Sequence, residues 1–152
     1  MEFFDNPRSA LSRAYLFLEK ADATTAAERN DFEAFLEASI IFARAAIHRF
    51  KTEHGGHPLF NQWWASLAAN PTIRFFRDER DFILKEGPAK IGQKLYAGFF
   101  DASKNLTISG NVPTKASGYY FYDDLDKQAN TTVRNHLTKL KALLTNAHRD
   151  FQ

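Results

Sequence analysis

The chain contains no cysteine, which excludes disulfides, zinc–thiolate sites and thiol chemistry. No apolar run approaches the length that spans a bilayer. The first residues, MEFFDNPRS, also lack the basic start and apolar segment of a signal peptide. We therefore expect a cytoplasmic protein with no membrane association. A glycine-rich phosphate loop and a nucleophile motif such as G-x-S-x-G are absent too, so neither of these enzyme classes has its usual motif here.

A strong excess of one charge is also lacking. The 20 Lys and Arg residues stand against 18 Asp and Glu, which gives a net charge of +2. This balance argues against a dedicated electrostatic binder of nucleic acid, although a local basic ridge stays open. Large apolar rings are abundant, with 15 Phe among 152 residues. Length and apolar content together predict one domain, residues 1–152, with a substantial core.

Helical patterns dominate the chain. The Asn-Pro pairs at residues 6–7 and 70–71 each read as an N-cap followed by proline in the first turn. The N-x-x-E stretch at 30–33 resembles a capping box that opens a second, long helix. That helix should end at the glycine pair 55–56, and the helix that starts at 70–71 should end near 87–88. A short segment with both tryptophans lies between these two helices.

The last third of the chain changes in character between about residues 104 and 122. KNLTISG and GYYFYDD are rich in β-formers and flank a polar stretch with Gly and Pro, which predicts a hairpin or two short strands. Residues 89–102 suit either a short helix or irregular packing. A final helix should start near Asp124 or Asp126 and run to about Arg149. Its apolar stripe consists of Val133, Leu137, Leu140, Leu144 and Ala147. The predicted fold is mainly α, an antiparallel bundle of four to five main helices with a small β-hairpin before the last helix.

The helix over FFRDERDFILKEG, residues 75–87, mixes charge with large apolar side chains. At 100° per residue its phenylalanines and Ile83 cluster on one side, and Glu79 and Glu86 fall near the centre of that side. A carboxylate on an apolar face needs a hydrogen-bonded or charged partner, or it takes up a proton. The sequence therefore predicts a polar layer inside the bundle that includes Glu79 and Glu86.

The second helix offers partners for this layer on one ridge. Arg44 and His48 are four residues apart and so adjacent on the helix surface, and Glu37 lies on the same ridge. A contact of Arg44 or His48 with Glu79 would complete a polar layer of Glu37, Glu79 and Glu86. Such a layer is either a buried ion pair that fixes helix register or part of an open cleft.

The order of these segments resembles bacterial proteins of the HEPN superfamily. The resemblance rests on LSRAYLFLEKA, DFEAFLEASIIFARAAIH, NQWWASL and NPTIRFFRDERDFILKEGP, and it covers roughly the first 90 residues. It implies a helical bundle that commonly forms a homodimer. Many members cleave RNA without a metal through an R-N-x-x-x-H motif, in which His moves a proton and Arg steadies phosphate charge.

The positions that match this motif are Arg80, Asp81 and Lys85. Arginine is retained, but Asp replaces Asn and Lys replaces His. Lysine is a poor proton shuttle at neutral pH because its ordinary pKa lies near 10.4, and Asp81 would repel a phosphate. The leading hypothesis is therefore a HEPN-like binding protein without catalysis. The resemblance implies a prokaryotic defence or toxin–antitoxin setting, with RNA or another protein as partner.

Two alternatives stay open beside this hypothesis. A divergent metal-independent endoribonuclease could use Arg44 and His48, or the Arg49-x4-His54 match in RFKTEH. A purely structural dimerisation subunit could instead dock another protein through a surface of Trp and Tyr side chains, since Trp63 and Trp64 cannot both face one core direction.

Metal and cofactor sites are not expected. His54 and His57 flank a glycine pair, with Glu53 nearby, but a clear third ligand is missing. The arginines 74, 77 and 80 step by three along one helix and could meet phosphates, although two aspartates interleave with them.

Overall fold

Five α-helices make up most of the part of the chain described by the structure, a computed structural model covering residues 6–25, 28–93, 98–100, 106–108 and 118–152. A 3₁₀ turn over Leu67–Ala69 extends the third helix. The helices are α1 (Ala10–Asp22), α2 (Arg29–His54), α3 (Phe60–Ser66), α4 (Pro71–Lys85) and α5 (Ala129–Asp150). This arrangement confirms the predicted helical bundle.

One of the predicted helix starts is confirmed in detail. The side chain of Asn70 accepts hydrogen bonds from the backbone N–H groups of Thr72, at 2.9 Å, and Ile73, at 3.1 Å, and Pro71 occupies the first turn of α4. The predicted end of α2 is confirmed as well, because Gly55 follows its last residue.

The other predicted starts are wrong by a few residues. Ser9 caps α1 by accepting from Ser12 N–H at 3.1 Å, whereas Asn6 caps only the preceding turn. The helix α2 begins at Arg29 with no side-chain cap, so no capping box forms at 30–33. The helix α5 begins only at Ala129, because the backbone N–H of Asp124 bonds back to Phe121 in a turn.

Four short strands precede α5 in the part of the chain that the structure describes. They are β1 (Ile91–Gln93), β2 (Gly98–Phe100), β3 (Leu106–Ile108) and β4 (Tyr119–Phe121). β2 pairs with β3 in an antiparallel hairpin, which confirms the hairpin predicted before the last helix. β1 pairs antiparallel with β4, with Ile91 opposite Phe121. The strands in KNLTISG and GYYFYDD therefore pair with β2 and β1 rather than with each other. The helix or irregular packing predicted for 89–102 is replaced by strand at 91–93 and 98–100, and the rest of that range beyond residue 93 lies outside the described residues.

The core lies where α1 and α5 pack against α2. The apolar stripe predicted for α5 is confirmed, since all five of its residues are buried. Phe76 of α4 is also fully buried. Strand β4 closes one end of the bundle, where the Tyr119 ring stacks on Phe32 of α2 with ring centroids 5.3 Å apart and Phe121 meets Phe75 of α4 edge-on at 5.7 Å. The fold thus holds α2 and α4 side by side.

Candidate functional site

A cluster of charged side chains lies where α2 faces α4. Arg44 is half-buried, and its Nε is buried with no hydrogen-bond partner among the described residues. Burial lowers the pKa of Arg44, Asp81 raises it, and Arg80 and Arg77 lower it further. Arg80 and Asp81 of α4, rather than the predicted Glu79, are thus the charged neighbours of Arg44. We call this site the α2–α4 face, and its members are Arg44, His48 and Lys51 of α2 and Arg77, Asp78, Arg80 and Asp81 of α4.

Both aspartates of the α2–α4 face are bonded to the arginines that precede them. Arg77 Nε donates to Asp78 Oδ1 at 2.9 Å, and Arg80 Nη1 donates to Asp81 Oδ1 at 2.8 Å. The bond from Arg80 lowers the pKa of Asp81, so that carboxylate is ionised at neutral pH. No ion pair joins Arg44 to a carboxylate within the described ranges.

The α2–α4 face carries a positive excess. Three Arg and one Lys contribute four positive charges, and two Asp contribute two negative ones, so 4 − 2 leaves +2 with His48 neutral. This excess equals the net charge of the whole chain. Like charges held together attract an anion to the surface between them. A local basic ridge therefore exists on a molecule of nearly balanced charge.

His48 is exposed at the edge of this ridge. Partial desolvation lowers its pKa, and Arg44 and then Arg80 lower it further. The imidazole is therefore neutral at pH 7, with one ring nitrogen able to accept a proton. The structure brings together Arg44, His48 and Arg80 at an open surface.

Glu79 does not join this cluster. It is only 6% exposed, and its Oε2 is buried without a hydrogen-bond partner in the described part of the chain. Burial raises the pKa of Glu79, the charge of Lys90 lowers it, and those of Asp123 and Asp78 raise it. Within the described residues no ion pair or hydrogen bond joins Glu79 to Arg44 or His48. Glu79 instead faces the segment that carries β1 and β4.

The other two members of the predicted polar layer lie elsewhere. Glu86 follows the last residue of α4 and is exposed, so its placement in a buried layer is wrong. Glu37 is half-buried and accepts the backbone N–H of Ala89 at 2.9 Å, which fixes the chain as it leaves α4. Helical wheels failed here because α4 ends before Glu86 and the next residues turn away.

The Arg49-x4-His54 match does not form a site. Five residues at 100° each put the two side chains about 140° apart around α2. Arg49 is exposed, whereas the His54 ring packs on Phe50 with centroids 4.4 Å apart. His54 Nε2 lies 3.1 Å from His148 Nδ1. Burial lowers the pKa of His54, and the neighbouring His148 lowers it further. His148 was missed because 94 residues separate it from His54.

The three residues at the motif positions do not lie together either. Arg80 and Asp81 are bonded to each other, and Lys85 is exposed in the last turn of α4. Sequence reasoning did not select Lys51, which continues the ridge of Arg44 and His48 by one more turn. The spacing of 44, 48 and 51 was the available signal.

Other kinds of site are not seen in the described residues. The described part of the chain holds no group of three or more His, Asp or Glu residues that could bind a metal ion. None of its helices is long and apolar enough to cross a membrane. No family model, curated protein or solved structure matches the chain.

Proposed function

We propose that this chain is a HEPN-like helical-bundle protein that binds RNA through the α2–α4 face without cleaving it. The observation that carries the proposal is the excess of two positive charges at the face, where Arg44 forms no ion pair with any carboxylate of the described residues. A phosphodiester supplies an anion with several acceptor oxygens, and an arginine guanidinium binds such groups in a directed way.

The loss of cleavage follows from the bonded pair Arg80–Asp81. An ionised carboxylate 2.8 Å from the Arg80 guanidinium offsets part of the charge that this arginine would otherwise give to a phosphate in the transition state. The guanidinium N–H groups that Asp81 does not bind can still donate to a bound phosphate. Lys85 stands at the position of the family's histidine and is exposed in the last turn of α4, so the imidazole that moves the proton in that chemistry is missing there. Binding survives these changes because it needs only net positive charge.

Binding is tested by fluorescence anisotropy of a labelled 20-nucleotide RNA with the purified full chain. The double variant Arg44→Gln/Arg80→Gln should bind at least about tenfold more weakly, because two phosphate contacts are lost. It should also show a shallower dependence of affinity on salt, by about 0.7 per contact for a single strand.

A matched control is Arg13→Gln, combined with Lys20→Gln. These α1 side chains lie over Phe42 and Phe35 of α2, and Phe42 is 200° around α2 from Arg44. The control removes the same charge from another surface and should keep wild-type affinity and salt dependence. Equal losses in both double variants would mean that only overall charge matters, which contradicts a site at the α2–α4 face.

A second candidate function is metal-independent RNA cleavage with His48 as the base, and one observation favours it. The neutral His48 imidazole lies on the same surface as Arg44 and Arg80. His48 would take the proton of a ribose 2′-hydroxyl while that oxygen attacks the adjacent phosphorus. The 5′-oxygen would leave with a proton from water, and the arginines would stabilise the charge on the phosphoryl oxygens.

Cleavage is tested by incubating the protein with total RNA in the presence of a metal chelator. Our leading proposal expects intact RNA. Reproducible cleavage that Arg80→Ala or His48→Ala abolishes, with melting temperature unchanged, would overturn the non-catalytic function and establish the second candidate. The predicted homodimer and the defence or toxin–antitoxin setting stay predictions, and light scattering tests the first of them.

A further inference from the structure

Three side chains of α2 form a cationic ridge whose end lies beside a tryptophan. This ridge consists of Arg44, His48 and Lys51, which lie within about 60° of one another around the helix and span about 10 Å along it. The Nζ atom of Lys51 lies 4.9 Å from the ring centroid of Trp64 in α3. The positive surface at α4 therefore continues, by way of an exposed lysine, onto an aromatic ring.

The two adjacent tryptophans differ in their surroundings. Trp63 packs among core rings, with centroids 5.2 Å from Phe50 and 5.4 Å from Phe151. Trp64 is half-buried like Trp63, lies nearly parallel to Phe60 at 5.7 Å and lies 6.4 Å from the Trp63 ring, but it also carries the Lys51 ammonium over its ring. The two indoles are therefore both half-buried, and Trp64 is the one in contact with the cationic ridge.

We propose that Trp64 is a stacking site for an unpaired base of the RNA that binds at the α2–α4 face, an inference that rests on the proposed function. An ammonium near the surface over a half-buried indole contributes less than the stacking of a base on the same ring. When a nucleotide arrives, its base replaces the ammonium on Trp64 and its phosphate becomes a partner for Lys51. The ligand is therefore single-stranded at this point, because both faces of a base inside a duplex are covered by the neighbouring base pairs.

The chain offers its own optical test, because Trp63 and Trp64 are its two tryptophans. Trp63→Phe leaves Trp64 as the reporter, and Trp64→Phe leaves Trp63. Titration with a 12-nucleotide oligouridylate should quench the fluorescence of the Trp63→Phe variant and leave that of the Trp64→Phe variant nearly unchanged. An RNA duplex and an abasic oligomer of equal length should bind without quenching Trp64.

Affinity supplies a second measurement. Trp64→Leu should weaken oligouridylate binding about fivefold or more and leave binding of the abasic oligomer unchanged. Lys51→Gln should weaken both ligands, because its phosphate contact does not depend on the base. Melting curves confirm that each variant is folded, and the Trp63→Phe titration stands by itself if Trp64→Leu does not fold.

The outcomes separate this inference from the proposed function. Binding that Arg44→Gln/Arg80→Gln weakens, without quenching of Trp64 or with equal quenching of Trp63, would overturn the stacking site and leave the proposed function intact. A failure of every oligonucleotide to bind would overturn both.

Discussion

Two polar contacts between helices are built from similar residues, but they differ in charge balance. Where α1 meets α5, the carboxylate of Asp22 accepts from the guanidinium of Arg134 and, at 2.7 Å, from the amide of Asn130. One anion meets one cation there, and the remaining partner is neutral. Where α2 meets α4, four cations share two aspartates, and each aspartate is bonded to the arginine before it in sequence.

This difference in charge balance distinguishes a contact that stabilises the fold from a surface that binds a ligand. The balanced α1–α5 contact joins two helices across a long sequence separation, and its anion and cation are bonded to each other, although Oδ1 of Asn130 is buried without a hydrogen-bond partner in the described part of the chain. Among the described residues the ion pairs of the α2–α4 face are local to α4, so its charges do little to join the helices. Its excess is compensated only by a ligand or by counterions from solvent. We therefore expect changes at the first contact to alter stability and changes at the second to alter binding.

The largest effect on stability is expected for Asp22→Ala, which breaks the balanced contact. Arg134 and Asn130 would lose their shared acceptor, and we expect a loss of about 2 kcal/mol in the free energy of unfolding, since the groups are only partly buried. Chemical denaturation measures it. Asp126→Ala, at an exposed loop position, is the control and should stay within about 0.5 kcal/mol of wild type. Equal stability of Asp22→Ala and wild type would show that this contact is not structural.

Glu79→Gln changes a buried carboxyl on the side of α4 that lies away from the α2–α4 face. Burial raises the pKa of Glu79, so the folded state holds a proton more tightly than the unfolded state does. Its stability contribution is present below the unfolded pKa, near 4.3, and is lost as pH rises through the folded pKa. At pH 7 the neutral Gln should therefore raise stability, by about 1 kcal/mol or 2–4 °C in melting temperature. Near pH 4 the gain should disappear. A variant less stable than wild type at pH 7 would show that the charge is compensated.

Arg44→Gln is expected to have a smaller effect on stability. Removing one of several neighbouring cations relieves repulsion but also removes packing by the side-chain stem, so the net change should lie within about 0.5 kcal/mol. The same variant should weaken RNA binding measured by anisotropy. A large loss of stability would mean that Arg44 holds α2 and α4 together, contrary to the comparison.

The smallest effect concerns pH. His48 has a lowered pKa and is neutral at pH 7, so acidification adds one positive charge to the α2–α4 face. RNA affinity should rise as pH falls below about 6.5, and His48→Gln should lower that rise. If His48→Gln left the pH dependence of RNA affinity unchanged, His48 would not act on the bound phosphates.

His136 supplies the matched control for this pH effect. Its ring is half-buried, stacks on Phe75 at 4.2 Å and shares a hydrogen bond with Thr72 at 3.0 Å. Burial lowers the pKa of His136, so its contribution to stability is present above about pH 6.5 and is lost as pH falls. His136→Gln should change the pH dependence of the melting temperature and leave that of RNA binding unaltered.

Local patterns in the sequence determined the helices and the side of α5 that is buried. The Asn-Pro pair before α4 fixes a start because the cap and the proline act within one turn, and the stripe from Val133 to Ala147 fixes a face because helical spacing is regular. Strand partners were not determined in this way. β1 and β4 are 25 residues apart, and their pairing depends on which end of the bundle the chain reaches.

Tertiary structure alone decided the site. Sequence spacing showed that Arg44 and His48 are neighbours, but only the packing of α4 on α2 put Arg80 with them and turned Glu79 toward the other side. A wheel gives angles around one helix and contains nothing about its rotation against another. The location of Lys51 beside Trp64 arises in the same way, from how α3 packs near the end of α2.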